Sequence, residues 1–285
     1  MAAKPRAFLI ANPYKDRAHQ AFDLLRRWLE DRGQLAGADL AVDADAIAAA
    51  RPDRIVVLGG DGTILAVGRA AAEARVPIIG VNLGKLGYLA AYSTTDIRDY
   101  FDSAAHDGRL VSSRMMLDVS IQPTAGEAFH SLAINDCVLH AGPPYRMIVT
   151  EVALNGESLT TITSDGLIVS SPTGSTAHNM SAGGPIVDPE VEAVVLTPLC
   201  PHSLNHRPLV LAPTSELKIT VRQANDGSQA IIDGQSTAPT PPGTNVTIRR
   251  ATVPFQLVLH PQRSGWQGLV WKLKWGDGLQ RGGEP

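Results

Sequence analysis

A short apolar run that ends in glycines clustered around one carboxylate constrains this chain more than any other feature. Arg54-Ile55-Val56-Val57 reads as a buried strand, Leu58-Gly59-Gly60-Asp61-Gly62-Thr63 as a sharp turn, and Ile64-Leu65-Ala66-Val67 as the opening of a helix. Glycine has no Cβ, so the backbone can turn tightly there and approach a ligand closely. Amide N–H groups at such a turn, and at the start of a helix, hold phosphate. A carboxylate beside bound phosphate can meet a metal ion or take a hydroxyl proton, and the combination points to phosphoryl transfer. A plain strand-to-helix turn with an Asp cap would use the same residues.

The elements around this turn predict its fold. Ala7-Phe8-Leu9-Ile10 reads as a strand, and Ala21, Leu24, Leu25, Trp28 and Leu29 repeat at helical spacing before Gly33 stops the helix. Pro77-Ile78-Ile79-Gly80-Val81-Asn82 reads as a further strand. Alternating strands and helices predict an α/β N-terminal domain with a parallel sheet, with ligands gathered at the carboxyl ends of its strands. The pattern changes near Arg114, where Leu117, Val119 and Ile121 alternate with polar residues. Runs of β type follow at 147–154, 166–170, 217–221, 246–248 and 255–259, separated by turns such as Asn155-Gly156, Asp226-Gly227 and Pro241-Pro242-Gly243. They predict an all-β, sandwich-like C-terminal domain, interrupted by a short helix in the glycine-rich stretch 175–184. The expected boundaries are 1–112 for the α/β domain, 113–260 for the β-sandwich, and 261–285 for a tail that returns to the first domain.

Composition narrows the class of function. A chain of 285 residues, 44% hydrophobic and 19% charged, has enough apolar side chains for a core of domain size. A net charge of −3 offers no broad basic surface for nucleic acid. No apolar run approaches the length of about 18 residues that a membrane span needs. The first residues lack the apolar centre of an export signal, so Cys137 and Cys200 are expected as reduced thiols in a cytoplasmic protein.

Several further segments carry chemistry. Asn82-Leu83-Gly84-Lys85-Leu86-Gly87 is a second glycine-rich loop at a strand end, expected to line the same cleft as Asp61. It is not a P-loop, since Gly80 is too close and Leu86 stands where a hydroxyl is needed. Asn135-Asp136 pairs an amide with a carboxylate, a set suited to sugar hydroxyls or an adenine edge, although an Asx turn uses the same pair. Residues 164–178 lead from a strand into a hydroxyl-rich turn and a helix start. Gly174-Ser175-Thr176-Ala177 lacks the second glycine of a hydrolase nucleophile elbow. Cys200, His202 and His206 lie among Pro198, Pro201 and Pro208 with no second cysteine pair, which argues against zinc. Ile231-Ile232-Asp233-Gly234-Gln235 reads as a hairpin turn whose Gln could reach a ligand.

Taken together, the segments resemble those of the NAD kinase family, chiefly its bacterial members. The resemblance rests on Gly59–Thr63, Asn82–Leu89, Asn135-Asp136 and Asp165–Pro185. It continues through Thr197–Leu204 with Arg207–Val210 and ends at Asp233–Gln235, in the family's order. It implies an α/β domain followed by a β-sandwich, and transfer of the γ-phosphoryl of ATP, or of polyphosphate, to the 2′-hydroxyl of the adenosine ribose of NAD. It also implies a divalent cation, most often Mg²⁺, and a homodimer or homotetramer whose NAD site is built partly across a subunit interface. Asp61 matches the catalytic base and, with Gly62, an NAD contact. Asn135, Asp136, Arg146, Thr163, Asp165, Thr173, Thr176, Ala177, His178, Asn179, Met180, Ser181 and Gln235 match the remaining dinucleotide positions.

The chain departs from its relatives at three places. His178 stands where many have Tyr, Thr163 where bacterial relatives often carry a basic residue or His, and Ala66 where a basic residue is common. Phosphate contacts would then fall to Arg69, Lys85 or a neighbouring subunit. Gly-Gly-Asp-Gly is shared with lipid kinases, and a dinucleotide sensor without turnover is a third reading. The hydroxyl-rich 165–178 segment argues against the first and the retained Asp61 against the second.

Overall fold

The computed structural model describes residues 4–12, 16–84, 87–263 and 270. Lys85, Leu86 and nearly all of the 264–285 tail lie outside the described residues, and so does the expectation that this tail returns to the first domain. The chain divides into two compact units. One holds the residues up to Ser112 together with those from Gln256 on, and the other holds Ser113–Phe255.

The first unit alternates strand and helix: β1 (Ala7–Ala11), α1 (Asp16–Asp31), β2 (Leu35–Asp39), α2 (Ala44–Ala50), β3 (Arg54–Leu58), α3 (Asp61–Ala70), β4 (Ile78–Val81), α4 (Asp96–His106) and β5 (Val111–Arg114). Its six-stranded sheet has the order β2-β1-β3-β4, then a late strand at Phe255–Val258, then β5. That late strand was expected in the β-sandwich. Instead it pairs in parallel with β4, Leu257 opposite Ile78. The strands of the β2-β1-β3-β4 set are parallel, as the strand–helix alternation predicts.

Both faces of this sheet are covered. Ala7, Leu9, Ala11, Val56, Leu58, Ile79 and Val81 pack in one cluster with Phe22, Leu25 and Leu29 of α1 and Ile97, Phe101 and Ala104 of α4. Pleating turns the alternate residues, Phe8, Ile10, Ile55 and Val57, to the other face, and these too are buried. Strands buried on both faces read as the continuous apolar runs seen in β1 and β3. Because β2 lies on one side of β1 and β3 on the other, the strand order reverses at β1/β3. In open α/β sheets that switch point is where ligands bind.

The second unit is all-β apart from one short helical segment. Its strands are β6 (Leu117–Gln122), β7 (Phe129–Ala133), β8 (Asp136–His140), β9 (Ile148–Leu154), β10 (Glu157–Ser164), β11 (Gly166–Ser170), β12 (Val194–Leu199), β13 (Leu209–Leu211), β14 (Leu217–Gln223), β15 (Gln229–Ile232), β16 (Ser236–Pro239) and β17 (Asn245–Arg250). They form two six-stranded sheets, β10-β9-β14-β17-β6-β7 and β13-β12-β11-β8-β15-β16. Inward residues of the first, such as Val119, Val152, Ile219 and Ile248, share one apolar cluster with Leu139, Leu167, Val169, Leu196 and Ile232 of the second. Two sheets with a common core are the expected sandwich. The Asn155-Gly156 turn joins β9 to β10 with both residues at positive φ, as a tight hairpin turn requires.

Candidate active site

Asp61 is the first residue of α3, directly after the β3 turn, and lies beside the β1/β3 switch point. The Asn12 N–H, just past β1, donates to the Leu58 carbonyl at 3.2 Å, and the Asn12 side chain reaches the Thr63 hydroxyl at 3.4 Å. Gly60 is the cap residue of α3 and supplies no side-chain cap, so Asp61 is the acidic group of the first turn. A carboxylate is favoured there by the helix dipole.

The Asp61 carboxylate holds the loop that follows β4. Its Oδ2 accepts the Tyr88 N–H at 2.9 Å, and its Oδ1 accepts those of Leu89 and Ala90 at 3.0 and 3.1 Å. Asp61 thus meets the chain at Gly87, where the second glycine-rich loop ends, and at the three residues after it. Gly87 is required at this approach, because a Cβ there would fall 2.1 Å from Asp61 Oδ1. The carboxylate is half-buried, with Gly62 exposed next to it. A cavity of about 590 Å³ opens beyond the ends of β3 and β4, lined by Gln20, Leu24 and Leu25 of α1, Asn82 and Gly84 after β4, and Arg98 of α4. Its volume is within the range of small-molecule sites, and Asp61 is not among the residues that line it.

The second unit brings three of the sequence segments together at one end of the sheet that contains β8, β11 and β15. Asp136 begins β8 and pairs with Ser170 at the end of β11, and Cys137 pairs with Ile232 at the end of β15. The turn after β11 packs on the turn before β8. The Ser171 hydroxyl donates to the Ile134 carbonyl, and the Ser171 N–H donates to the Asn135 carbonyl at 2.8 Å. Gly174 lies so close that a Cβ would stand 2.0 Å from the Asn135 carbonyl oxygen. From the third segment, the Asp233 N–H donates to the Asp136 carbonyl at 2.9 Å, and Gln235 is exposed two residues on.

Three groups at this end are short of partners. The Asn135 side-chain amide and the Asp136 carboxyl make no hydrogen bond among the described residues. Asp136 is 4% exposed, and its pKa is pushed up to about 7, first by burial and then by the Asp233 carboxylate. The Thr173 hydroxyl is buried and without a partner among the described residues. Buried polar groups are nearly always paired, and one left alone costs about 1–3 kcal/mol. An unpaired amide, a carboxyl and a hydroxyl converging at one sheet end form a set that a polar ligand would satisfy. Cys137 is buried beside them, its thiol pushed up by burial and so held protonated.

The segment after Thr173 is ordered by its own side chains. Thr176 donates from its hydroxyl to the Thr173 carbonyl, Ala177 and Met180 are half-buried, and His178 and Ser181 are exposed. Asn179 differs from its neighbours. It is fully buried, its amide N–H groups donate to the Ser175 and Pro185 carbonyls at 3.1 and 3.0 Å, and its oxygen accepts the Thr197 hydroxyl at 2.6 Å. Those bonds tie the 173–185 segment to β12, so Asn179 holds the segment from behind and presents no group to solvent.

Asp165, Thr163 and Arg146 are not brought to this end. Gly166 pairs with His140 at the far end of β8, which puts Asp165, one residue further, roughly 17 Å along the strand from Asp136 at ~3.3 Å per residue. Thr163 is beside Asp165 on β10, its carbonyl accepting the His202 N–H at 2.8 Å, and Arg146 is exposed on the loop that leaves β8. Asp165 makes no side-chain hydrogen bond among the described residues. Sequence reasoning missed Asp233, which reads only as part of a turn. Its signal, a carboxylate at a position of positive φ, is visible only in the folded chain.

No group of three or more His, Cys, Asp or Glu side chains converges to hold a metal ion among the described residues. Cys200, His202 and His206 thus form no such group. Asp61 has its oxygens turned to backbone N–H donors, so the described residues hold no preformed cage for a divalent ion.

The chain matches two family models, the ATP-NAD kinase N-terminal domain over residues 29–108 and the ATP-NAD kinase C-terminal domain over residues 134–260. It is 40% identical over 228 residues to the NAD kinase of Trichlorobacter lovleyi, covering 80% of each chain. It is 33% identical over 275 residues to the NAD kinase of Rhodopirellula baltica, covering 96% of this chain and 88% of that one. Among solved structures, yeast NADH kinase complexed with NADH superposes with a TM-score of 0.82 at 23% identity, over 99% of this chain and 90% of that one. An NAD kinase from Archaeoglobus fulgidus in complex with ATP gives 0.74 at 24% identity, over 94% and 98%. These two carry the likeness of fold, and the sequence matches carry the kinship. Strand–turn–helix around Asp61, the Asn135-Asp136 turn and the two matched domains lead to one conclusion: the chain belongs to the NAD kinase family.

Proposed function

We propose that this protein transfers the γ-phosphoryl group of ATP to the 2′-hydroxyl of the adenosine ribose of NAD, giving NADP and ADP. The observation that carries this reading is the convergence of Asn135, Asp136 and Thr173 as unpaired donors and acceptors at one end of a sheet, in a chain of this family. An amide can read an adenine edge, and a carboxylate can accept two ribose hydroxyls. Gln235, Thr176 and the exposed His178 border the same turn and supply further contacts.

The reaction is one of positioning and charge stabilisation. The 2′-oxygen attacks the γ-phosphorus, the bond to the β,γ-bridging oxygen breaks, and ADP leaves. Asp61 accepts the hydroxyl proton, while its bonds to the 88–90 loop hold the carboxylate in a fixed orientation. A divalent cation such as Mg²⁺, carried by the ATP phosphates, would supply neutralisation of phosphate charge. Inorganic polyphosphate offers the same terminal phosphoryl group and is the second donor to test.

The placement of Asp165, Thr163 and Arg146 at the far end of β8 supports a homo-oligomer. In a dimer or tetramer, groups at that end of one chain complete the dinucleotide site of another. No described helix is long and apolar enough to cross a membrane. Two free cysteines, one buried and one exposed, suit the reducing cytoplasm in which we place the enzyme.

The test is direct. Purified protein is incubated with MgATP and NAD, and NADP is detected with an NADP-specific dehydrogenase. NADP formation that needs both substrates is expected. Its absence with ATP and with polyphosphate, against NAD and NADH alike, would contradict the proposal.

A further inference from the structure

Asp233 lies in the turn between β15 and β16, and no part of the reaction scheme above uses it. Its carboxylate is engaged along its whole edge. Oδ2 accepts the Ile134 N–H at 3.0 Å, and Oδ1 accepts those of Asn135 and Asp136 at 2.7 and 3.1 Å. The backbone returns the contact, with the Asp233 N–H on the Asp136 carbonyl at 2.9 Å. The residue is 8% exposed. Its φ of +48° is in the left-handed region, where Asp and Asn are tolerated far better than most residues.

Successive N–H groups converging on one carboxylate define the backbone of the turn they come from, and charge-assisted bonds of this kind are roughly twice as strong as neutral ones. The turn so defined carries the two side chains that remain unpaired, Asn135 and Asp136. A purely structural carboxylate could stand anywhere in the sandwich. This one grips the only described segment that combines an unpaired amide with a buried, unpaired carboxyl.

We propose that Asp233 is a positioning residue for the dinucleotide: its carboxylate clamps the 134–136 turn so that the Asn135 amide and the Asp136 carboxyl are presented, already oriented, to the adenosine half of NAD. This rests on the function proposed above and adds to it a residue that touches neither reacting atom. Without the clamp, the turn must be ordered at the moment of binding, and that cost appears in substrate affinity rather than in the chemical step.

Asp233→Asn is the discriminating variant. It keeps the side-chain volume and tolerates the left-handed backbone, but it places an NH₂ where at least one backbone N–H must be accepted. The expected result is a KM for NAD raised about tenfold or more, a kcat within about threefold of the unsubstituted enzyme, and an unchanged KM for ATP. Hydrogen exchange gives the second measurement. Amides 134–136 should lose protection while the rest of β8 and β11 keeps it. Asp233→Glu, a carboxylate with a longer reach, should recover part of the NAD affinity.

An Asn variant with unchanged NAD KM and unchanged protection would overturn the clamp. A variant that only loses active enzyme, with both KM values intact and kcat down in proportion to the unfolded fraction, would overturn the positioning role as well. Failure of the unsubstituted enzyme to make NADP would instead defeat the function reading, and the two failures are read from different proteins.

Discussion

Asp61 in the first unit and Asp233 in the second make the same contact in different settings. Each carboxylate accepts three consecutive or near-consecutive backbone N–H groups and thereby fixes a loop. Asp61 does so half-buried, in the first turn of a helix, beside the switch point of a parallel sheet. Asp233 does so buried, and the turn it fixes includes a second carboxyl, Asp136, held toward the protonated form first by burial and then by the Asp233 charge. The comparison teaches that a carboxylate's use follows from its surroundings. Half-buried at a helix start, Asp61 stands where we propose that it takes a substrate proton. Enclosure suits Asp233 to the proposed clamp and leaves the Asp136 carboxyl without a hydrogen bond among the described residues.

The sharpest way to break this contrast is Asp61→Asn. The amide keeps a carbonyl oxygen for Leu89 and Ala90 but turns an NH₂ toward the Tyr88 N–H, and it cannot take a proton. Turnover should fall on the order of 10²-fold or more. Steady-state kinetics that keep more than half of the original kcat would remove Asp61 from the chemistry and leave it a loop holder like Asp233.

Asn135→Ala probes the other half. It removes hydrogen bonds that form before the transition state, so the KM for NAD should rise about tenfold with the KM for ATP nearly unchanged. If the ATP constant moves instead, the two units have been given each other's substrate.

A smaller effect follows from Asp136 and its titration. Its folded pKa, about 7, is above the value of an exposed Asp, so the folded chain holds this proton more tightly than the unfolded chain does. The carboxyl therefore costs nothing at low pH and reduces stability progressively as pH rises through the window from the usual Asp range to about 7. Thermal melts should show Asp136→Asn gaining on the unsubstituted protein between pH 5 and pH 8, by an amount that grows with pH. NAD, by donating ribose hydroxyls to the ionised form, should expel part of a proton at pH 7. Calorimetry in buffers of different ionisation enthalpy measures that release.

Much of the first unit was legible in the sequence because its information is local. The run before Gly59, the glycines themselves and the apolar spacing of α1 each announce one element. β2 and α4 were not read, since Leu35–Asp39 contains Gly37 and two alanines and α4 mixes Asp, Arg and Tyr with only a few apolar anchors. The strand at Phe255–Val258 looks like its sandwich neighbours, and only pairing with β4 assigns it to the parallel sheet. In the second unit the segments were visible but their grouping was not. Asn135 and Asp165 belong to the same family pattern, yet antiparallel pairing of β8 with β11 sends them to opposite ends, a consequence of register that periodicity does not contain. Asn179 and Asp233 are polar residues whose partners are all distant in the chain or in backbone groups, so residue type alone could not distinguish a ligand contact from a brace.

The division of labour between the two carboxyl sites is tested most directly by calorimetric NAD affinity of two variants, Asp61→Asn and Asp136→Ala, against the unsubstituted enzyme. The account predicts a dissociation constant within about threefold of the original for Asp61→Asn and one weakened tenfold or more for Asp136→Ala. Equal losses in both, or a loss confined to Asp61→Asn, would contradict it.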